Sequence, residues 1–345
     1  MRMTTGWRSV NDGSTTLLKV PVERRDLRAD DIAVRVDYCG VCHSDLHRIR
    51  GLLGEGEIVP GHEFTGTVTA VGTDVTRFTA GDKVAVGTLI DSCGQCPMCE
   101  AGQENFCWNG PTTTYGGKDR IDGTPTQGGY SREYVLRDKF AYPLPAALDP
   151  AAAAPLMCAG ITMWEPLRAG GIGPGSRVAV AGLGGLGHLG VKLAAALGAE
   201  VTVLSRAAGK AADARRLGAT GLLDTSDEAH LARVRGSFDL ILDTLPAAHD
   251  FAPLLRMLGL DGTLSVLGYP LPAMVPITAL TIGRKSISSS GTGGRKHTAE
   301  LLDFCARHGI AADVEILPSS QVQDALSRLE AGDVRYRFVL DLSDI

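Results

Sequence analysis

Residues 177–205 read RVAVAGLGGLGHLGVKLAAALGAEVTVLS, and they carry the strongest indication of a fold in this chain. A short apolar run enters a glycine-rich turn, an apolar segment of helical length follows, and a β-branched run ends at Ser205. Gly182, Gly184 and Gly187 fit G-x-G-x-x-G between a strand and a helix. The segment therefore predicts a βαβ unit that binds a dinucleotide.

Each glycine of this loop has an expected task. Gly182 permits the tight turn, Gly184 lets the backbone approach a pyrophosphate, and Gly187 lets the helix pack closely on the strand. Gly185 and Leu186 complete the loop, and the helix N-terminus adds backbone N–H donors for the phosphates. The alternative is that these are hinge or packing glycines without a ligand.

The end of the second strand indicates which dinucleotide is bound. An NAD site usually places Asp or Glu there, whereas this chain has Ser205, Arg206 and Lys210. A hydroxyl and two cations suit a 2′-phosphate, so we expect NADP(H). The alternative is that Arg206 and Lys210 are solvated residues at the start of a helix.

The pattern changes twice along the chain. Before residue 150, strand-like segments such as 32–39, 64–72 and 83–90 are separated by loops. Strand-like segments at 201–205, 221–224, 238–245 and 263–268 then alternate with helical segments near 207–217, 228–235 and 251–258. This alternation predicts a parallel sheet with right-handed crossovers. After residue 287 the pattern is mixed, with a helix at 299–308 and a final strand within 335–342.

Composition excludes several classes of protein. The 345 residues suggest two domains, and 44% hydrophobic with 21% charged residues excludes a disordered chain. The net charge of −5, without a basic stripe, argues against a nucleic-acid partner. Residues 146–164 are the nearest candidate for a membrane span, but Asp149, Pro150 and Pro155 interrupt them. With no signal peptide, we expect a cytoplasmic protein whose eight cysteines are ligands or core residues.

Four of those cysteines form a compact group. Cys93, Cys96, Cys99 and Cys107 read C-x2-C-x2-C-x7-C. Four thiolates at this spacing are typical of a closed, structural zinc site. An iron–sulfur cluster is the competing interpretation, although its motif usually continues as C-x2-C-x2-C-x3-C-P. Chance clustering is the third possibility.

A second metal site is suggested by three residues far apart in the sequence. Cys42, His62 and Cys158 can supply two thiolates and an imidazole, which leaves a fourth position of a zinc ion open. Taken as residue types alone they are only suggestive, because an isolated cysteine is usually a small buried hydrophobe.

Motifs along the whole chain resemble the zinc-dependent medium-chain alcohol dehydrogenases, most closely the cinnamyl alcohol dehydrogenase branch. The motifs are YCGVCHSDLH (38–47), VPGHE (59–63), the four-cysteine group, DGTPTQGGYS (122–131), LMCAGIT (156–162), AGLGGLGHLGVK (181–192) and DVRYRFVLD (333–341). The resemblance implies an α/β fold: a GroES-like β catalytic domain (1–152 with 288–345) and an inserted Rossmann domain with a doubly wound parallel sheet (153–287). It also implies two zinc ions per chain, NADP(H) and a homodimer.

The resemblance assigns roles around the catalytic zinc. Cys42, His62 and Cys158 match its ligands, and Glu63 matches a nearby carboxylate that can approach the metal as an alternate ligand. Asp45 matches the acid that orients the zinc-bound histidine.

The resemblance also implies a path for the proton. Ser44 matches the hydroxyl that begins the relay, which passes the cofactor ribose and ends at His47, and His43 matches a residue near the cofactor phosphates. Cys39 and Cys305 lie outside every ligand set, and we interpret both as packed cysteines.

Two departures from the branch bear on the substrate. The loop from residue 48 to residue 59 is shorter than is common in this branch. When the chain is aligned with plant enzymes of the branch, Thr112 and Gly291 lie near positions where those enzymes carry bulky aromatics. Smaller residues there predict a pocket that is enlarged or shaped for something other than a cinnamyl chain.

The implied reaction is a hydride transfer between NADP(H) and an alcohol/aldehyde pair, with aromatic or medium-sized primary alcohols as substrates. One alternative is an NADPH-dependent reductase of an iminium or activated C=C group in a natural product. A non-enzymatic alternative is a catalytically inactive NADPH-binding protein of the same fold. The retained Ser44 and His47 favour the carbonyl chemistry.

Overall fold

The computed structural model describes residues 1–10, 12–52, 54, 56–269 and 274–345. Within these residues the chain forms two compact units, Met1–Cys158 with Gly294–Ile345, and Ala159–Gly293. The second unit is inserted into the sequence of the first, and it begins and ends six residues later than the expected bounds 153–287.

The first part of the first unit is built mainly of strands. They are β1 (Arg2–Ser9), β2 (Leu17–Arg24), β3 (Asp31–Gly40), β4 (Phe64–Val71), β5 (Lys83–Val86), β6 (Leu89–Asp91), β7 (Thr112–Thr113), β8 (Glu133–Arg137) and β9 (Ala141–Pro143). Its helices are α1 (His43–Ile49), α2 (Pro97–Glu100) and α3 (Pro150–Ala153), with 3₁₀ turns at Glu104–Phe106, Asp138–Phe140 and Ala154–Met157.

The second unit alternates helices and strands. Its strands are β10 (Arg177–Ala181), β11 (Glu200–Ser205), β12 (Gly221–Asp224), β13 (Phe238–Asp243), β14 (Leu258–Val266) and β15 (Ser286–Ser288). Its helices are α4 (Ala159–Ala169), α5 (Gly187–Ala196), α6 (Ala211–Arg216), α7 (Glu228–Arg233), α8 (Ala252–Met257) and α9 (Ile277–Thr281), with a 3₁₀ turn at Ala208–Lys210.

The remainder of the first unit adds α10 (Arg295–His308), β16 (Val314–Pro318), a 3₁₀ turn at Ser319–Gln321, α11 (Val322–Glu330) and β17 (Arg337–Asp341). Helix α11 is amphipathic: Val322, Ala325, Leu326 and Leu329 are buried, at the spacing of one helical face. No helix in the described part of the chain is long and apolar enough to cross a bilayer.

The core of the first unit is a sheet in the order β16-β17-β3-β4-β5-β9, and β8 also pairs with β3. Strand β3 is buried along most of its length because it has neighbours on both sides. Its antiparallel pairing with β4 places Cys39 opposite Phe64. The end of β3 and the start of β4 are thereby neighbours, which positions the segments that follow and precede them.

In the second unit, the described strands form one parallel sheet in the order β12-β11-β10-β13-β14-β15. Strand β10 lies in the middle, and the order runs outward from it in both directions. This is the doubly wound order of dinucleotide-binding folds and confirms the expected Rossmann domain. Val178, Ala179 and Val180 are fully buried, as is typical of a parallel sheet covered on both faces.

Two elements differ from their predicted bounds for tertiary reasons. The segment 83–90 forms two strands because the chain is interrupted at Gly87, where an added Cβ would lie 2.8 Å from the Met157 carbonyl oxygen. Helix α10 begins at Arg295 rather than at residue 299, because the Glu104 carboxylate accepts a hydrogen bond from the Arg295 N–H at 2.8 Å.

Candidate active site

The strands β3 and β4 position the first two candidate zinc ligands. Cys42 is the N-cap residue of α1, two positions after the end of β3, and His62 lies two positions before the start of β4. Gly61 has φ of +96°, and a Cβ there would lie 2.5 Å from the Tyr130 ring and 2.8 Å from Cys39 Sγ. Only glycine fits this turn, so the packed Cys39 and Gly61 together determine where His62 enters the site.

The structure brings the three dispersed residues together. Cys42, His62 and Cys158 offer two sulfurs and one ring nitrogen within 4.8 Å of one another. His62 Nε2 lies 3.1 Å from Cys158 Sγ, and Cys158 ends the 3₁₀ turn that follows α3. Two thiols and one imidazole at these separations match the protein ligands of an open, tetrahedral zinc site.

Asp45 holds His62 from the other side of the ring. Its carboxylate lies 3.2 Å from His62 Nδ1 and accepts hydrogen bonds from the N–H groups of Cys42, at 2.9 Å, and Gly61, at 3.1 Å. The Tyr130 hydroxyl donates to the same carboxylate at 3.2 Å. A proton on Nδ1 leaves the Nε2 lone pair free for a metal, as a histidine ligand requires.

Burial and charge shape the titration of this group. Burial lowers the pKa of His62, but the Asp45 charge and hydrogen bond outweigh it and raise that pKa well above its usual value. The hydrogen bond from Cys158, aided by the Arg337 charge, holds the pKa of the Cys42 thiol well below its usual range. The site therefore favours a thiolate at Cys42, which is the form that binds metal.

Glu63 is fully buried beside these ligands and pairs with Arg337 of β17. Arg337 Nη2 donates a short hydrogen bond to Glu63 Oε1, and both side chains are shielded from solvent. Burial raises the pKa of Glu63, and the Arg337 charge offsets part of that effect. The role of Glu63 as an alternate metal ligand stays a prediction, and its partner Arg337 was not predicted.

Three residues of this site escaped the sequence analysis: Arg337, Tyr130 and Tyr115. Tyr115 packs edge-on against the His62 ring with 5.4 Å between ring centroids. Tyr130 and Arg337 lie within the motifs 122–131 and 333–341, which supported the resemblance without being given a task. A buried arginine in an apolar strand was the signal that could have pointed to a buried acid.

The proposed relay residues lie on α1. Ser44 Oγ is 3.8 Å from Cys42 Sγ, so its hydroxyl borders the ligand group. His47 follows three residues later, partly exposed, and His43 is exposed at the first position of the helix. Residues three apart lie on the same helical face, which gives Ser44 and His47 a common side.

The four-cysteine group is also assembled. The sulfurs of Cys93, Cys96, Cys99 and Cys107 all lie within 4.8 Å of one another. Cys93 Sγ and Cys99 Sγ are 3.8 Å apart, and Cys96 Sγ and Cys99 Sγ are 3.5 Å apart. Zinc–sulfur bonds of about 2.3 Å in a tetrahedron place sulfurs about 3.8 Å apart, so the residues fit a closed zinc site.

The glycine loop of the second unit has the geometry that its motif predicts. Gly182 has φ of +92°, and a Cβ there would lie 2.7 Å from Thr244 Oγ1. A Cβ on Gly187, the first residue of α5, would lie 2.0 Å from the Gly182 carbonyl oxygen. A Cβ on Gly184 would meet nothing within 4 Å. The first and third glycines are thus required by packing, whereas the second faces open space that a ligand can enter. Gly185 and Leu186 lie between them, partly exposed.

The three residues expected to bind a 2′-phosphate lie at and beyond the end of β11. Ser205 is its last residue, and Arg206 is exposed directly after it. Lys210 reaches back to the glycine loop, where its Nζ donates to the Leu183 carbonyl oxygen at 3.2 Å. The Lys210 charge therefore lies beside the loop, in keeping with an anionic ligand.

The two substrate-pocket positions lie in different units. Thr112 is buried in β7, where its hydroxyl donates to the Lys118 carbonyl oxygen at 3.4 Å. Gly291 belongs to the second unit, has φ of +65° and accepts a hydrogen bond from Thr162 at 3.0 Å. Their effect on pocket size stays a prediction, and the loop 48–59 contains residues 53 and 55, which lie outside the described residues. Cys39 and Cys305 are both fully buried, as expected of packed cysteines.

Comparison with protein families gives two matches in chain order. The family described as "Alcohol dehydrogenase GroES-like domain" matches residues 28–146, and the family described as "Zinc-binding dehydrogenase" matches residues 185–307. The first match contains Cys42, His62 and the four-cysteine group, and the second begins within the glycine loop.

Individual proteins are similar over nearly the whole chain. An NADP-dependent alcohol dehydrogenase C of Mycobacterium bovis is 46% identical over 330 residues, which cover 95% of each chain. The solved structure of a Sorghum bicolor cinnamyl alcohol dehydrogenase superposes with a TM-score of 0.94 at 39% identity, covering 99% of this chain and 98% of that one. That of a Helicobacter pylori CAD complexed with NADP(H) has a TM-score of 0.91 at 30% identity and covers 98% of each.

Proposed function

Because the chain belongs to the zinc-dependent medium-chain alcohol dehydrogenase family, in the cinnamyl alcohol dehydrogenase branch, we propose that it transfers a hydride between NADP(H) and an alcohol/aldehyde pair. Aromatic or medium-sized primary alcohols are the proposed substrates. The observation that carries the proposal is the convergence of Cys42, His62 and Cys158, whose ligand atoms lie within 4.8 Å of one another.

Cys42, His62 and Cys158 hold the catalytic zinc in this proposal, and the four cysteines Cys93, Cys96, Cys99 and Cys107 hold the structural zinc. When bound, the catalytic zinc supplies a Lewis acid to the substrate oxygen and NADP(H) supplies or accepts the hydride. Asp45 keeps His62 Nε2 available as a ligand. Glu63 and Arg337 place a nearly neutral pair beside the site, so the net charge near the ligands stays low.

Ser44 and His47 move the proton that accompanies the hydride. In alcohol oxidation, the Ser44 hydroxyl accepts the proton of the substrate hydroxyl while giving up its own toward His47. The His47 imidazole, partly exposed, releases a proton to solvent and takes one up in the reverse direction. His43, exposed at the start of α1, faces the cofactor phosphates in this proposal.

The cofactor binds the glycine loop at Gly182, Gly184, Gly185, Leu186 and Gly187, with its 2′-phosphate held by Ser205, Arg206 and Lys210. The open space beside Gly184 and the Lys210 ammonium at the loop support this assignment. Charge-assisted contacts are worth roughly 1.5–3 kcal/mol each, so NADPH is preferred over NADH by at least about tenfold.

The test is a screen of NADPH consumption with aldehydes, ketones and iminium compounds, repeated with NADH. We expect aldehydes to be reduced with NADPH preferred, and Arg206→Asp to lower that preference by about tenfold. Turnover of iminium or conjugated alkene compounds alone would favour the reductase alternative. Equal kcat/KM with NADPH and NADH would contradict the assignment of the 2′-phosphate site.

A homodimer in the cytoplasm completes the proposal. Strand β15 is an edge of the second unit's sheet among the described residues, and exposed Tyr269, Met274, Ile277 and Ile282 lie nearby in sequence. An open strand edge with apolar side chains suits pairing with a second copy. The eight free cysteines suit a reducing compartment.

The oligomeric state is tested by sedimentation velocity. We expect a dimer that Ile277→Lys with Ile282→Lys converts to monomer, whereas Ile121→Lys, at an exposed apolar residue of the first unit, leaves it intact. A monomeric wild-type protein would overturn this part of the proposal.

A further inference from the structure

Residues 244–250 connect β13 to the segment before α8, and they pack against the glycine loop. The Thr244 N–H and hydroxyl both donate to the Ala181 carbonyl oxygen, at 3.0 and 2.7 Å. A Cβ on Gly182 would lie 3.3 Å from Leu245 Cδ2. Since β10 and β13 are parallel neighbours, this connection lies at the carboxyl edge of the sheet, where a dinucleotide binds.

A buried acid and a histidine close this connection into a loop. Asp243, the last residue of β13, is fully buried, and its Oδ2 lies 3.0 Å from His249 Nε2. Both atoms are shielded from solvent, and among the described residues neither makes a hydrogen bond, so their contact is an ion-pair distance without hydrogen-bond alignment. His249 Nδ1 lies 2.9 Å from the Ala247 carbonyl oxygen. The pair thus joins the two ends of the loop.

The contact requires a proton between the two side chains. A carbonyl oxygen only accepts, so the contact with Ala247 assigns a hydrogen to His249 Nδ1. Without a further proton, Asp243 Oδ2 would be a buried carboxylate oxygen 3.0 Å from a neutral ring nitrogen, with neither a hydrogen bond nor an opposite charge to offset its burial. The pair therefore attracts only while it holds that extra proton.

Within the described part of the chain, His249 is the one titratable side chain that acts on Asp243. Burial raises the pKa of Asp243, and the His249 side chain offsets part of that effect. The Leu245 N–H donates to Asp243 Oδ1 at 3.2 Å, and the Phe251 ring packs edge-on against His249. The Asp250 carboxylate accepts a hydrogen bond from the Ala252 N–H at 2.8 Å. Protonation of the pair is therefore set by its own two members.

We propose that Asp243 and His249 form a proton-dependent latch that positions residues 244–250 beside the glycine loop for NADP(H). The proposal rests on the proposed function, because it assumes that the glycine loop binds this cofactor. As pH rises and the shared proton leaves, the latch loosens and cofactor affinity falls. Asp243 and His249 are positioning residues, which act through the loop rather than on the reacting atoms.

The experiment measures the Kd of NADPH by nicotinamide fluorescence between about pH 6.5 and about pH 9. Wild type should bind about tenfold more weakly at the upper end. His249→Ala should bind with the weak, high-pH affinity throughout, and its KM for NADPH should rise more than its kcat falls. Asp243→Asn should bind tightly at every pH, because an amide N–H can donate to Nε2 without an added proton.

His230→Ala is the matched control. His230 lies 3.4 Å from Asp227 in the same unit, but both are only partly buried and lie at the start of α7, which follows the edge strand β12. His230→Ala should show the same pH dependence of the NADPH Kd as the wild type. Because the 2′-phosphate of NADPH itself titrates near about pH 6, each variant is compared with wild type at the same pH.

The possible outcomes distinguish a failure of the latch from a failure of the proposed function. A wild-type protein that binds neither NADPH nor NADH overturns the proposed function. Binding of NADPH with one pH profile in wild type, His249→Ala and Asp243→Asn overturns the latch alone. If His249→Ala does not fold, the flattened profile expected of Asp243→Asn decides the question by itself.

Discussion

The two candidate zinc groups lie in the same unit but are built in opposite ways. Cys93 and Cys107 are 14 positions apart, and one loop supplies the whole four-cysteine group. His62 and Cys158 are 96 positions apart, and their meeting depends on the β3–β4 pairing, the Gly61 turn and the turn before Cys158. The first group is held by its own loop, and the second by the surrounding fold.

The difference indicates what each group does. A closed set of four thiolates leaves no position for a substrate, so binding energy there goes into the fold. The three-ligand group is surrounded by polar residues, namely Asp45, Glu63, Arg337 and Ser44, to which the proposed function assigns the tasks of orienting a ligand, balancing charge or carrying a proton. In our proposal the four-cysteine, loop-borne group stabilises the fold, and the fold-borne group of Cys42, His62 and Cys158 performs the chemistry.

Loss of a thiolate from the loop-borne group should have the largest effect on stability. Cys99→Ser should remove one of two zinc ions and lower the thermal midpoint by about 10 °C or more, because structural zinc contributes folding energy. Metal analysis and calorimetry test this. Cys305→Ser, at a buried cysteine outside both groups, should keep both ions. Wild-type zinc content and stability in Cys99→Ser would contradict the assignment of a structural zinc to the four-cysteine group.

The same loss in the fold-borne group should affect activity instead. Cys158→Ala should lower kcat/KM by about a thousandfold or more, since Lewis-acid stabilisation is worth several kcal/mol. The free energy of unfolding should change by less than about 1.5 kcal/mol. Aldehyde reduction and denaturant titration are the measurements. A large loss of stability with residual activity would mean that the two groups had exchanged roles.

The proton path should matter next. Ser44→Ala should lower kcat by about 10²–10⁴-fold with little change in NADPH affinity, because it removes the first hydroxyl of the relay. His47→Asn should cost less, since water can replace an exposed imidazole. Steady-state kinetics of both variants on the best aldehyde test whether Ser44→Ala loses more kcat than His47→Asn. Near-native turnover by Ser44→Ala would support the reductase alternative instead.

The smallest expected effect concerns the support of a ligand rather than a ligand itself. Asp45→Asn should weaken zinc at the fold-borne group by about 10–100-fold, because it removes the charge that orients His62. Competition with a chelator measures this affinity, and the four-cysteine zinc of the same molecule is the internal control. Equal weakening of both ions would indicate general unfolding rather than loss of orientation.

Short-range features of the site were predictable. The four cysteines, the glycine loop and the strand ending at Ser205 all lie within short stretches whose spacing constrains geometry directly. Cys42, His62 and Cys158 were only suggestive as residue types, and the family resemblance selected them. Arg337 and Tyr130 were missed because their partners, Glu63 and Asp45, lie 274 and 85 positions away.

The sequence by itself determined the alternation of strands and helices in the second unit, since hydrophobic periodicity and glycine placement act over a few residues. The insertion of that unit into a β domain was implied by the family resemblance. Tertiary structure alone decided the break at Gly87, the start of α10 at Arg295 and the neutralisation of Glu63. Each of these depends on an atom from far along the chain: Arg337 lies on β17, which pairs with β3, and the Glu104 carboxylate lies in a 3₁₀ turn 191 positions before Arg295. Register is a collective outcome of burying every strand at once, so local spacing does not contain it.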